Sequence, residues 1–231
     1  MCGVDGVECA YALFGLGWGG GLGEGDVVLV QGTGGVSVIA MQVSTSIPLR
    51  PPLPRFLSML IGMRIVRPRP QRHRNRNNKQ RAQSPKSHLP RRAPRPQLQT
   101  DPNWGETAKQ ITPDKKGVHL IVDVGGLATL PQPVKAVRPE GLISITGILG
   151  GGSEDAVQKA TLLECLVNAC VVRGVVLGTR EQFEEMNRFI EERRVRPAVD
   201  ERIWGFGDVR EAYGVMKGQE RFSKICVRIV E

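Results

Sequence analysis

What this chain lacks narrows it first. It has five cysteines (Cys2, Cys9, Cys165, Cys170 and Cys226), with no C-x-x-C pair among them and no histidine close by. That spacing argues against a thiolate metal site and against a secreted disulfide framework, and leaves free thiols in a reducing compartment. The three histidines, His73, His88 and His119, are scattered and form no ligand set, so no metal is expected. No run of about 18 apolar residues appears, which argues against a membrane span. Cys2 to Glu8 has neither a basic n-region nor an apolar core, so no signal peptide is read and the cytosol is the expected compartment. Only two phenols are present. Tyr11 lies in a short apolar stretch and Tyr213 on an apolar helical face, both read as packing positions. No catalytic acid or base can be nominated.

Acidic residues are missing from one region in particular. Between Arg50 and Gln99 there are 14 Lys and Arg and no Asp or Glu, together with nine of the 16 prolines. Subtracting these from the 32 Lys and Arg of the chain leaves 18 against 23 acidic residues, so the net charge of +9 comes wholly from this segment. The chain therefore divides into 1–42, a basic Pro/Arg-rich insert over 43–99, and 100–231.

What is present in the outer parts has strong periodicity. Asp26-Val-Val-Leu-Val-Gln-Gly-Thr-Gly-Gly-Val-Ser37 is a β-branched strand, a glycine-rich turn and a small-residue helix start, with Ser37 where a third glycine is usual. Such a turn lets backbone N–H groups and a helix N-terminus approach a pyrophosphate. On its own it is a weak signal, since any strand–turn–helix can carry glycines. Before it, Cys9 to Phe14 suits a short helix. After Asn103 come a helix over 105–111, a strand over 118–124, and a helix over 127–137 with Pro131 and Pro133 tolerated near its start. A strand over 141–146, a helix over 154–168 and a strand over 170–177 follow. The helix over 181–194 places Phe183, Met186, Phe189 and Ile190 on one face. The helix over 208–217 turns Val209, Ala212, Tyr213 and Met216 inward, and a last strand covers 224–230. Strands alternating with helices predict an α/β fold with a mostly parallel sheet, with ligands at the carboxyl ends of the strands.

The ordered series resembles the medium-chain dehydrogenase/reductase superfamily, in its zinc-type alcohol dehydrogenase-like and quinone oxidoreductase-like branch. The matches are Gly25 to Ser37, Asp123-Val-Gly-Gly126, Ala136 to Gly147, Val172-Arg-Gly174, Arg196-Pro-Ala-Val-Asp200, and Glu211-Ala-Tyr213 leading to Arg221-Phe-Ser-Lys224. The resemblance covers 1–42 and 100–231. It implies a Rossmann-type parallel sheet binding NADP or NAD, and hydride transfer to a carbonyl or activated C=C of a small-molecule substrate. It places the pyrophosphate on Thr33, Gly34, Gly35 and Val36. Val124 and Gly125 would lie along the ribose and nicotinamide, Thr146 and Gly147 would meet the carboxamide, and Ser223 and Lys224 would approach from the C-terminal return. Asp123 reads as a strand-end cap for local N–H groups. Homodimers would form through the edge strand near 170–177.

The departures from the family are large. The GroES-like catalytic domain that precedes this unit in the family is absent, and so are the second strand, second helix and third strand expected between Gln42 and Thr100. The Rossmann sheet is thus expected to be incomplete, with β-branched Val27 to Val30 losing a neighbour. The resemblance then implies an oxidoreductase that is degenerate or inactive as written.

Residues 43–99 are expected to be disordered, because this composition buries too little apolar surface to offset chain entropy. The genetic code offers a reason. Shifting the frame by one nucleotide across Arg72 to Arg81 permits Val-Ile-Ala-Thr-Ala-Thr-Thr-Ser-Ser, and across Pro90 to Thr100 it permits Leu-Gly-Ala-His-His-Val-Leu-Asn-Tyr-Lys. Both resemble family sequence in the right order. Val43-Ser44 can be encoded by GTAAGT, a common intron start. A retained intron followed by a frame-shifted exon accounts for the whole segment. A genuine linker and a non-specific binder of RNA or other polyanions are the alternatives. The second would be salt-sensitive and short of stacking aromatics.

Overall fold

The computed structural model describes residues 26–46, 56–59 (backbone only), 101–126, 129–147, 162–218 and 220–229. Its centre is a five-stranded parallel sheet. In chain order the strands are β1 (Val28–Gln31), β2 (Phe56–Met59), β3 (Val118–Asp123), β4 (Val137–Ile145) and β5 (Val171–Gly174), and in space they run β2-β1-β3-β4-β5. The helices are α1 (Gly35–Ser46), α2 (Trp104–Gln110), α3 (Pro131–Ala136), α4 (Leu162–Val167), α5 (Arg180–Glu192) and α6 (Val209–Lys217). Among the described residues no helix is long and apolar enough to cross a membrane.

The apolar runs form strands that are covered on both faces, as a parallel sheet requires. Alternation along β1 makes the division visible. Val28 and Val30 join Ile39, Ala40 and Val43 of α1, Leu120 and Val122 of β3, and Met186 of α5 in one core. Val27 and Leu29 point to the other face, with Trp104 and Ala108 of α2, Ile121, Ile143, and Val134 and Ala136 of α3. The second layer is drawn tight at Gly105, whose N–H donates to Gln132 Oε1 at 3.0 Å. A Cβ at Gly105 would overlap the Gln132 carbonyl, so only glycine fits there.

The remaining elements form a small βαβ unit. β6 (Val199–Gly205) and β7 (Lys224–Arg228) pair in parallel, with α6 between them. The side chain of Gln42 on α1 clamps the approach to this unit. Its Nε2 donates to Arg196 O at 2.7 Å and its Oε1 accepts from Ala198 N at 3.1 Å.

The α/β class and parallel sheet agree with the expectation, and three local readings are corrected. First, α1 runs on to Ser46, across the segment boundary placed after 42, because Ala40 and Val43 are still buried against the sheet. Second, Phe56–Met59, inside the stretch expected to lack structure, pairs in parallel with β1, Val28 opposite Phe56 and Gln31 opposite Met59. β1 therefore has a neighbour on each side. The remainder of the expected disorder between 47 and 99 lies outside the described residues, as do the helix over 9–14 and most of that over 154–168. Third, Tyr213 is 63 % exposed and Met216 39 % exposed, because the two-stranded sheet under α6 is too narrow to cover more than Ala212 fully. On α5, Met186, Phe189 and Ile190 pack together against the sheet as one face, with Phe183 at its edge 36 % exposed.

Candidate functional site

The chain leaves β1, forms β2 on one side, and returns to form β3 on the other. That reversal opens a crevice at the carboxyl ends of β1 and β3, the usual place for a ligand in a doubly wound sheet. Gln31 ends β1 and Asp123 ends β3, and the two side chains meet there: Gln31 Nε2 donates to Asp123 Oδ2 at 2.7 Å. Both residues are buried.

From this contact the site can be assembled outward. Gly32 turns the chain at φ 75°, a left-handed conformation that glycine adopts without strain. Helix α1 starts at Gly35, with Val38 N–H donating to Gly34 O at 3.0 Å. Ser37, in the place of a third glycine, is buried, and its hydroxyl donates to the Gln31 carbonyl, tying the first helical turn to the strand end. A Cβ at Gly34 would meet nothing within 4 Å, so the turn presents a bare backbone surface.

The C-terminal return closes over this turn. Ser223 N–H donates to Thr33 O at 2.8 Å, and Gly34 and Ser223 form a parallel bridge. Ser223 is buried at φ 55°, and Phe222 N–H beside it is held by Asp200 Oδ2 at 2.8 Å. Asp200 thus anchors the return from β6.

The turn after β3 hangs on the same pair of side chains. Gln31 Oε1 accepts from Val124 N at 3.2 Å and Gly125 N at 3.3 Å. The Asp123 carboxylate accepts from Gly126 N at 2.7 Å and from the Thr129 hydroxyl at 2.8 Å. Its main-chain carbonyl accepts from Thr146 N at 2.8 Å and Thr146 Oγ1 at 3.1 Å, with Gly147 N at 3.3 Å. Gly147 lies so close to the Val124 carbonyl that no Cβ would fit. Burial pushes the Asp123 carboxyl above its usual range, against the hydrogen bonds from Thr129, Gly126, Gln31 and Gly125, which favour the ionised form.

The structure thus brings the sequence-nominated residues together in two groups. Thr33, Gly34, Gly35 and Val36 make up the glycine turn, with Ser223 bridged to it and Lys224 next in the chain at the start of β7, and Val124, Gly125, Thr146 and Gly147 form the wall after β3 and β4. Gln31 links them, and the sequence reading did not single it out. A polar residue closing an apolar strand was the available signal, but its partner lies 92 residues away. Asp123 caps the Gly126 N–H as expected, and its reach to Gln31 goes beyond that expectation. Among the described residues no cluster of three or more His, Cys, Asp or Glu is placed to hold a metal ion.

No protein-family model matches the chain. A zinc-type alcohol dehydrogenase-like protein of Schizosaccharomyces pombe is 27 % identical over 128 residues, 55 % of this chain and 36 % of that protein. Among solved structures, an NAD-dependent alcohol dehydrogenase superposes with a TM-score of 0.71 at 18 % identity, over 98 % of this chain and 57 % of that one. A mycobacterial protein complexed with NADPH superposes with a TM-score of 0.65 at 15 % identity, over 98 % and 64 %. The match to the yeast relative thus spans about a third of that protein's length.

Proposed function

We propose, for a chain that belongs to the medium-chain dehydrogenase/reductase superfamily, that the crevice between β1 and β3 binds NADP or NAD. One observation carries the reading: the Ser223–Thr33 and Gln31–Asp123 hydrogen bonds gather the glycine turn, the β3 turn and the C-terminal return around one crevice. In this reading the pyrophosphate rests on Thr33, Gly34, Gly35 and Val36, where the N-terminus of α1 offers backbone donors and a positive dipole end. Val124 and Gly125 line the ribose and nicotinamide. Their N–H groups are already bonded to Gln31, so they shape the wall instead of donating to the ligand. Thr146 and Gly147 face the carboxamide. Ser223 and Lys224 close the far side, with Ser223 fixed by its bridge to Gly34.

A bound nicotinamide supplies the hydride, and the protein supplies position and electrostatics. The reaction class is hydride transfer between that cofactor and a carbonyl or activated C=C of a small molecule. No described residue is assigned as acid, base or zinc ligand. Dinucleotide binding without turnover is what this chain is proposed to do by itself.

Titrating the purified chain with NADPH and NADH at moderate salt, and with RNA over a salt series, tests the reading. Saturable dinucleotide binding that tolerates salt is the expected result. Binding of RNA alone, erased by salt as counterion release requires, would overturn it in favour of the basic segment over 50–99 as the working part.

A further inference from the structure

Two of the three described cysteines lie in one turn. Helix α4 ends at Val167, and Ala169 follows in the left-handed region at φ 48°. Cys170 N–H donates to Cys165 O at 3.1 Å, and Ala169 N–H donates to Leu166 O at 3.1 Å. That pair of bonds, six-to-one outside five-to-two, is a Schellman motif with Ala169 as its left-handed residue. The motif brings the side chains three before the cap and two after it into contact, usually as an apolar pair. Here both positions are cysteine.

The two thiols meet accordingly. Burial first, and then the neighbouring Cys165 sulfur, push the Cys170 thiol up to about 11. Cys170 also leans on the core under β4, while both residues keep part of their surface in solvent. A disulfide needs Cα atoms about 4.4–6.8 Å apart, and the six-to-one hydrogen bond of the cap brings the two backbones into that range. The turn sits where the chain enters β5, the edge strand, and it is held there by Glu140 N–H donating to Ala169 O at 2.7 Å.

We infer that Cys165 and Cys170 form a reversible oxidation site, a dithiol that hydroperoxides convert to a disulfide across the α4 cap. Cys165 is the attacking sulfur, because Cys170 packs against the core, where burial disfavours its thiolate. The Cys165 thiolate attacks one peroxide oxygen. The S–O bond forms, the O–O bond breaks, and the departing oxygen leaves as alcohol or water with the proton that Cys165 gave up. Cys170 then attacks the sulfenic sulfur. The S–S bond forms, the S–O bond breaks, and the leaving hydroxide takes the Cys170 proton as water. Two thiols lose two electrons, and one peroxide is reduced.

The test uses the reduced full chain, hydrogen peroxide, alkylation and tryptic mapping. Both cysteines fall in one peptide, Ala160 to Arg173, which contains none of the other three. The expected product is that peptide lighter by two hydrogens, refusing alkylation, and fully restored by dithiothreitol. Cys170→Ser should trap a sulfenic acid on Cys165 that dimedone labels. Cys165→Ser should be labelled at Cys170 roughly tenfold more slowly or less. Over-oxidation of Cys165 to the sulfinic acid in the unmodified chain, or its pairing with Cys226 or with a second chain, would overturn the proposal. Equal labelling of the two variants would overturn the assigned order of attack.

Discussion

Strand β3 has five of its six residues buried, whereas β5, two strands away in the same sheet, has none. Half of the residues in each are β-branched. The difference comes from neighbours: β3 has a strand on each side and helices on both faces, while β5 is an edge. Past β5, Val176 is 81 % exposed and Leu177 65 %, and on α4 Leu166 is 75 % exposed. Apolar sequence is therefore a poor guide to burial here unless the strand's place in the sheet is known. The candidate site belongs to the buried part, at the ends of β1, β3 and β4. The cysteine pair belongs to the edge.

Substitutions should expose this contrast, the largest first. Ile121→Ala removes a fully buried side chain and should cost about 2–5 kcal/mol in a denaturant titration. Val176→Ala, at the exposed edge, should stay within about 0.5 kcal/mol. Similar losses at both positions would mean that the edge is covered by something else.

Gln31→Leu keeps much of the side-chain volume but removes the donor to Asp123 and the acceptor for Val124 and Gly125. It should lower stability by about 1–3 kcal/mol and weaken dinucleotide binding, since both walls of the crevice hang on it. Unchanged affinity in a folded variant would separate the Gln31–Asp123 contact from the ligand site.

The smallest expected effect lies at the opposite end of the sheet. His119 Nδ1 accepts from Val27 N at 2.9 Å, and its Nε2 is 3.1 Å from Asp26 Oδ1, with the Arg138 guanidinium also in contact. Burial pulls the imidazole below its usual value near 6.5, Asp26 opposes that, and Arg138 adds to it. The unfolded chain therefore takes up this proton more readily than the folded one. This contribution to stability is present above about 6.5 and is lost as pH falls through the lowered folded value. His119→Gln should flatten that part of a stability–pH profile. An undiminished acid-side slope would place the titrating group elsewhere.

Much of the central sheet was legible because a parallel strand buried on both faces must be a continuous apolar run, as Val118 to Asp123 nearly is. Strand β2 was legible only as part of a short apolar island over 56–66 in a basic, proline-rich segment, and only pairing with β1 shows that its first residues are a strand. Strand β6 was missed for a different reason. Val199-Asp-Glu-Arg-Ile-Trp-Gly205 buries only Trp204 fully, with the Arg202 guanidinium lying over its ring, so no apolar face is readable. Tyr213 was misplaced because helical periodicity shows which residues share a face and says nothing about how wide a sheet lies beneath it. In the site, the glycines were readable from local turn chemistry. The Gln31–Asp123 contact joins residues far apart in sequence, and no local rule reports it.

Gly34 offers the most direct test of the central claim. A Cβ there meets no protein atom within 4 Å, so Gly34→Asp should fold normally while placing a carboxylate on the surface assigned to the pyrophosphate. Dinucleotide binding should be saturable in the unmodified chain and lost in Gly34→Asp, with the two melting alike. Equal NADPH and NADH affinities in the two proteins, or no saturable binding by the unmodified chain, would contradict it.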